Sequence, residues 1–138
     1  MARDFFHYEV KEALIKDGWT ITNDPLVLLS KTEGGIQTDL GAEKIITAQK
    51  GLTKIAVEVK SFIHPSIIHE FLEASGQYTG YLTAMRIKKS DRLLYLAIPG
   101  YVYEKLMLYE FIREMISEQK IKLILYNPTN AEVELWIE

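Results

Sequence analysis

Eight residues past the middle of the chain, RLLYLAIP (92–99), form an almost unbroken apolar run between two amphipathic stretches. A run this short, opened by Arg92 and closed by Pro99, reads as a strand buried on both faces rather than as a helix. Such a strand must lie inside a sheet that is covered above and below. The flanking stretches supply the cover. Upstream, Ile67, Phe71, Ala74 and Tyr78 recur at helical spacing, which predicts a helix from about Ser66 to Tyr81 with Pro65 near its start and Gly76 and Gly80 weakening its final turns. Downstream, one long amphipathic helix is predicted from Tyr101 to Gln119. The expected class is α/β, a mixed β-sheet flanked by helices.

The remaining segments fill in that plan. Phe6, Val10, Ala13 and Leu14 mark a first helix, with Asp4 to cap its start and Gly18 to end it. WTIT and LVLLS read as short strands on either side of an Asn23-Asp24-Pro25 turn, and KTEGGIQ as a loop. IKLILY is a further strand, and AEVELWI, after the Asn127-Pro128 turn, alternates as a half-exposed edge strand does. With 138 residues, 48% of them hydrophobic, the expectation is a single domain spanning 1–138. No apolar stretch approaches the ~20 residues that cross a bilayer. The N-terminus lacks the pattern of a signal peptide and there is no Cys, so a soluble, cytoplasmic protein is expected.

A net charge of −3 and a pI near 5.7 argue against nonspecific coating of nucleic acid, which needs many phosphate contacts. A local basic edge is still present. RIKKSDR places Arg86, Lys88, Lys89 and Arg92 within seven residues, to be read either as a solvated turn or as a phosphate contact.

The chemistry concentrates in a hairpin predicted from Thr38 to Phe62 and turning around Gln49-Lys50-Gly51-Leu52. Centring the turn between Lys50 and Gly51 sets Glu58 opposite Glu43, Lys60 opposite Gly41 and Phe62 opposite Asp39. Asp39, Glu43, Glu58 and Lys60 then share one face, while Ile46, Ile55, Val57 and Val59 take the other. A hairpin with one wet face shows the same alternation. Against that reading, Glu43 and Glu58 would be a like-charge pair, costly unless something positive lies between them. Carboxylates and an ammonium gathered at a strand end suit a hard divalent cation such as Mg²⁺.

Other candidates are weaker. His7, His64 and His69 are expected in capping or surface roles, because the 64/69 spacing does not stack them and His7 is distant in sequence. No nucleophile elbow or phosphate-cradling glycine loop is present. Tyr101, Tyr103, Met107 and Tyr109 fit core packing or a partner surface.

Asp39, a hairpin and then Glu58-Val59-Lys60 resemble the PD-(D/E)xK signature of restriction-endonuclease-like nucleases, with Thr38 where the motif name has proline. Gln77 and Tyr81 resemble the Q-x-x-x-Y element of some RecB-type members. More narrowly, DLGAEK, AVEVKSF and GQYTGY are similar to the XisH family of fdxN-element excision controlling factors, a likeness that runs along the whole chain. The resemblance implies a restriction-endonuclease-like fold and a Mg²⁺ or Mn²⁺ site held by Asp39, Glu58 and the Val59 carbonyl. It implies Lys60 as the catalytic amine, Glu9 as an acid from the first helix and Gln77 as a supporting residue. Tyr81, with the basic residues Arg86, Lys88 and Lys89, would touch nucleic acid. The implied partners are DNA and a XisI-like protein, with a homo-oligomer also compatible. Two functions follow from it: metal-dependent DNA cleavage, or a catalytically silent accessory role that regulates a site-specific recombinase.

Overall fold

A computed structural model of the chain describes residues 4–47 and 51–138, with residues 45–47 described at the backbone. The first helix, α1 (His7–Lys16), leads through β1 (Thr20–Asn23) and β2 (Leu26–Leu29) to a single 3-10 turn at Lys31–Glu33. Next come β3 (Ile36–Thr38), β4 (Leu40–Thr47), β5 (Gly51–Val59) and α2 (Ile67–Ile87). The chain ends with β6 (Leu93–Pro99), α3 (Gly100–Leu106), α4 (Glu110–Gln119), β7 (Leu123–Asn127) and β8 (Glu132–Ile137).

Six strands form one mixed sheet in the order β1-β4-β5-β6-β7-β8. Its centre, β5-β6-β7, is parallel, and the outer pairs are antiparallel. Strands β2 and β3 make a separate pair packed against α2. The run at 92–99 does occupy the middle. Leu94, Leu96 and Ile98 pack into a core shared with α2, α3 and α4, and Tyr95 and Ala97 into a second core under α1. This is the α/β architecture that a doubly buried strand requires, and it is consistent with a restriction-endonuclease-like fold.

Three expectations change. Helix α2 runs to Ile87 rather than stopping at Tyr81, because Ala84 and Met85 continue its buried stripe past both glycines. The helix predicted over 101–119 is two helices. Tyr109, with φ −104° and ψ 117°, breaks it and caps α4, while Arg113 Nη1 donates to the Met107 carbonyl at 2.6 Å. The segment read as a loop at 31–37 contains the 3-10 turn and the start of β3.

The hairpin register also differs. Glu43 lies opposite Lys54 and Leu40 opposite Val57, a displacement of four residues from the predicted pairing. Of the predicted turn, Gln49 and Lys50 lie outside the described residues, as does the Ile46 side chain. An even displacement keeps every side chain on its face. Ile55, Val57 and Val59 therefore still face α1, and Ala56 and Glu58 face α2. The expected Glu43–Glu58 repulsion does not exist. The Glu58 face is not wet either, since α2 covers it.

Candidate metal and phosphodiester site

The corrected register builds the site. Because β4 begins at Leu40 opposite Val57, the last residues of β5 run past its end with no ladder partner on that side. Asp39, in the bend between β3 and β4, fills the gap: its Oδ2 accepts from the Val59 amide at 2.8 Å. In an extended strand a residue's N–H and C=O point to the same side, so the Val59 carbonyl is turned toward Asp39 too. Lys60 N–H points the other way, donating to the Ala97 carbonyl of β6 at 2.9 Å.

Glu58 is held between Asp39 and α2. Tyr81 OH donates to its Oε2 at 2.9 Å, and Lys60 Nζ approaches the same oxygen at 4.0 Å. Its side chain is only 12% exposed. Burial first, then the charge of Asp39 and a hydrogen bond to it, push the Glu58 carboxyl up to about 8; Tyr81 and Lys60 offset part of this. Burial, then the charge of Glu58, likewise raises the Tyr81 phenol.

The N-terminal segment closes the other side. Asp4 accepts from the amides of Phe6 at 3.0 Å and Ser61 at 3.2 Å; it is not the expected cap of α1, whose N-cap is Phe6, but ties the turn ahead of that helix to the segment after β5. Burial raises its carboxyl, with Asp39 adding to the shift. His7 is 1% exposed, contrary to the surface or capping role expected for it. Its Nε2 lies 2.8 Å from Asp24 Oδ1, and its Nδ1 points at Asp39 Oδ1 from 3.8 Å. The signal was present in the sequence: three residues before Val10 and seven before Leu14, His7 sits on the apolar stripe of α1.

Among the described residues, two buried side-chain polar atoms lack a hydrogen-bond partner, His7 Nδ1 and Gln77 Oε1. His7 Nδ1 faces Asp39, and Gln77 lies one helical turn from Tyr81 on the same side of α2. Two mutually repelling carboxylates, a carbonyl at an open strand end and orphaned acceptors together fit a hard cation. Among the described residues no three His, Cys, Asp or Glu side chains already converge on one point. The carboxylate contribution is therefore a pair, and the Val59 carbonyl and water would complete the shell.

The other sequence candidates are placed as follows. Glu9 acts electrostatically on Tyr126, whose hydroxyl donates to the Lys60 carbonyl at 3.1 Å; the acid coupled to Asp39 from this end is Asp4. Arg86 is exposed in the last turn of α2, about 8 Å along the axis from Tyr81. Lys88 pairs with Glu33, and Lys89 is exposed beyond the helix end. Arg92 is structural, donating to the Ile55 carbonyl at 2.9 Å and to Asn23 Oδ1 at 3.2 Å. Beside Lys60 opens a cleft of about 280 Å³ walled by Asp4, Phe5, Ile63, His64, Glu70 and Glu73.

The XisH protein family model matches residues 1–134. The chain belongs to the XisH family. Among solved structures, an XisH family protein from Nostoc punctiforme PCC 73102 is 42% identical, with a TM-score of 0.83 over 98% of this chain and 100% of that one. A fdxN element excision controlling factor protein from Anabaena variabilis is 41% identical, with a TM-score of 0.84 over 99% of this chain and 100% of that one. No curated protein matches the chain. XisH membership thus extends over the helix, hairpin and crossover that assemble the carboxylates. Among the described residues no helix is long and apolar enough to cross a membrane.

Proposed function

We propose that this chain is an excision controlling factor of the fdxN-element type whose PD-(D/E)xK-like site hydrolyses a phosphodiester of DNA. The observation that carries the reading is the meeting of Asp39 and Glu58 at the end of β5, with Lys60 Nζ 4.0 Å from Glu58. A divalent cation, Mg²⁺ or Mn²⁺, held by Asp39, Glu58 and the Val59 carbonyl, would lower the pKa of a bound water and stabilise charge on phosphoryl oxygens. The chain's own residues do the rest. The Val59 amide fixes one Asp39 oxygen, which leaves the other directed into the site. Tyr81 fixes Glu58 Oε2. Lys60 is placed to hydrogen-bond the attacking water or a non-bridging phosphate oxygen, where its charge counts most as negative charge develops. Gln77 Oε1 offers an acceptor to water at the back of the site.

Nicking of supercoiled plasmid in Mg²⁺ or Mn²⁺ tests this reading. Wild-type protein is expected to nick, and Glu58→Ala and Lys60→Ala are each expected to lower the rate by at least ~100-fold, the scale lost with one positioned acid–base group. Undiminished cleavage by both variants, or none by the wild type, rejects it. A second reading rests on a different surface. Leu108 (79% exposed), Tyr109 and Phe111 present apolar side chains at the break between α3 and α4. Such a patch suits an accessory factor that docks a protein such as a XisI-like partner to regulate a recombinase. Absent cleavage together with a XisI complex that Leu108→Glu disrupts would favour it.

A further inference from the structure

Beyond the carboxylate pair, three polar side chains run in a line from the helix surface to Asp39. Lys11 Nζ lies 2.8 Å from Asp24 Oδ2, Asp24 Oδ1 lies 2.8 Å from His7 Nε2, and His7 Nδ1 lies 3.8 Å from Asp39 Oδ1. Lys11 and His7 stand four apart on α1, and Asp24 comes from the turn between β1 and β2. We infer that Asp24 is a positioning residue: it holds His7 in the tautomer whose bare Nδ1 faces the cation site, and Lys11 holds Asp24. The inference rests on the metal-site reading above.

The geometry of the contacts points to this assignment. An ionised carboxylate only accepts, so at 2.8 Å the proton between Asp24 and His7 belongs to Nε2. A neutral imidazole with its proton there has a lone pair at Nδ1. That lone pair meets a second acceptor, Asp39 Oδ1, at a separation too long for any hydrogen bond. A buried lone pair facing a half-buried carboxylate is favourable only with something positive between them. His7 Nδ1 is also one of the two orphaned buried atoms. The ring cannot escape by turning, because it is 1% exposed and Asp24 grips its other nitrogen. Lys11 stands on the far side of Asp24, where its ammonium donates to the second carboxylate oxygen. A carboxylate behind an imidazole is the usual way a protein orients a nitrogen donor.

A purely structural alternative gives the same contacts, with Lys11, Asp24 and His7 merely stapling α1 to the β1–β2 turn. The two are separated by ring nitrogen NMR and by Mn²⁺ titration in a calorimeter, at one fixed pH. In metal-free wild type, His7 is expected to carry its proton on Nε2 alone; a proton on Nδ1, or on both nitrogens, overturns the inference without any metal being added. Asp24→Asn, whose amide N–H can donate to Nε2 and so leave the ring proton on Nδ1, is expected to weaken Mn²⁺ binding by roughly 10–100-fold. Its melting temperature should move far less than a lost staple would require. Asp24→Glu should restore part of the affinity. If wild type binds Mn²⁺ and Asp24→Asn binds it equally well, the positioning role is wrong while the metal site stands. If wild type binds no Mn²⁺, the metal reading and this inference fail together. Should Asp24→Asn not fold, Lys11→Met takes its place, with a loss smaller than that of Asp24→Asn but still measurable.

Discussion

Glu58 is the residue at which burial and charge conflict most in this chain. Its carboxyl is raised from an ordinary 4.5 to about 8, so the folded state holds a proton that the unfolded state has released over most of that interval. The sign follows directly. The contribution to stability is complete below about pH 4.5 and disappears as pH rises through the folded value. Glu58→Gln keeps an acceptor for Tyr81 and cannot ionise. In EDTA, its advantage over wild type should be negligible at pH 4.5 and grow toward pH 8, to on the order of 2–4 kcal/mol at about 1.4 kcal/mol per pKa unit. Urea unfolding of both proteins across that range gives the difference directly. A gap that does not change with pH would mean that neither burial nor Asp39 raises the Glu58 carboxyl in the fold.

At the scale of elements, α2 shows how far a local pattern carries. Its inner stripe of Phe71, Ala74 and Tyr78 was legible from spacing alone, and those residues are buried. Its end was not, because Gly76 and Gly80 argue for termination locally while Ala84 and Met85, buried against the sheet, override them. Both glycines lie on the outer face with open space where a Cβ would stand and no left-handed backbone. Gly76→Ala and Gly80→Ala should each therefore stabilise by about 0.5–1 kcal/mol, the propensity difference in a helix interior, readable as a melting temperature a few degrees higher. A decrease would show that one of them meets a surface on another molecule. The opposite case is the helix read over 101–119: its periodicity continues across the break, and only the extended backbone at Tyr109 reveals two helices. In the hairpin, face assignment was legible because it depends on parity, whereas register depends on turn geometry that the sequence did not specify. Asp39, Glu58 and Lys60 were legible as one face of the hairpin, and their resemblance to a motif gave them roles. His7 was missed because its neighbours in space, Asp24 and Asp39, lie 17 and 32 positions away in sequence.

For the whole molecule, what matters is that the site lies where independent parts meet. Asp39 follows the small β2–β3 sheet, Glu58 and Lys60 lie at or just past the end of a central strand, Tyr81 comes from the helix on one face and His7 from the helix on the other. Without a cation these parts are joined there by a carboxyl pair that burial and the Asp39 charge force to keep a proton on Glu58. A cation bound to Asp39 and Glu58 would tie both helical layers to the sheet, so its binding energy would appear as global stability. Ligand at 100 times its Kd adds about 2.7 kcal/mol. For a chain of this length each kcal/mol is worth roughly 3–5 °C. Mg²⁺ or Mn²⁺ should therefore raise the melting temperature by about 8–13 °C at saturation of that order, and equal concentrations of Na⁺ should not. Asp39→Ala removes one carboxylate and its anchor to the Val59 amide, so it should abolish the rise, whereas Arg86→Ala, on the exposed last turn of α2, should leave it intact. A rise that survives Asp39→Ala would place the cation elsewhere on this acidic chain, and the phosphodiester chemistry assigned to the end of β5 would lose its physical basis.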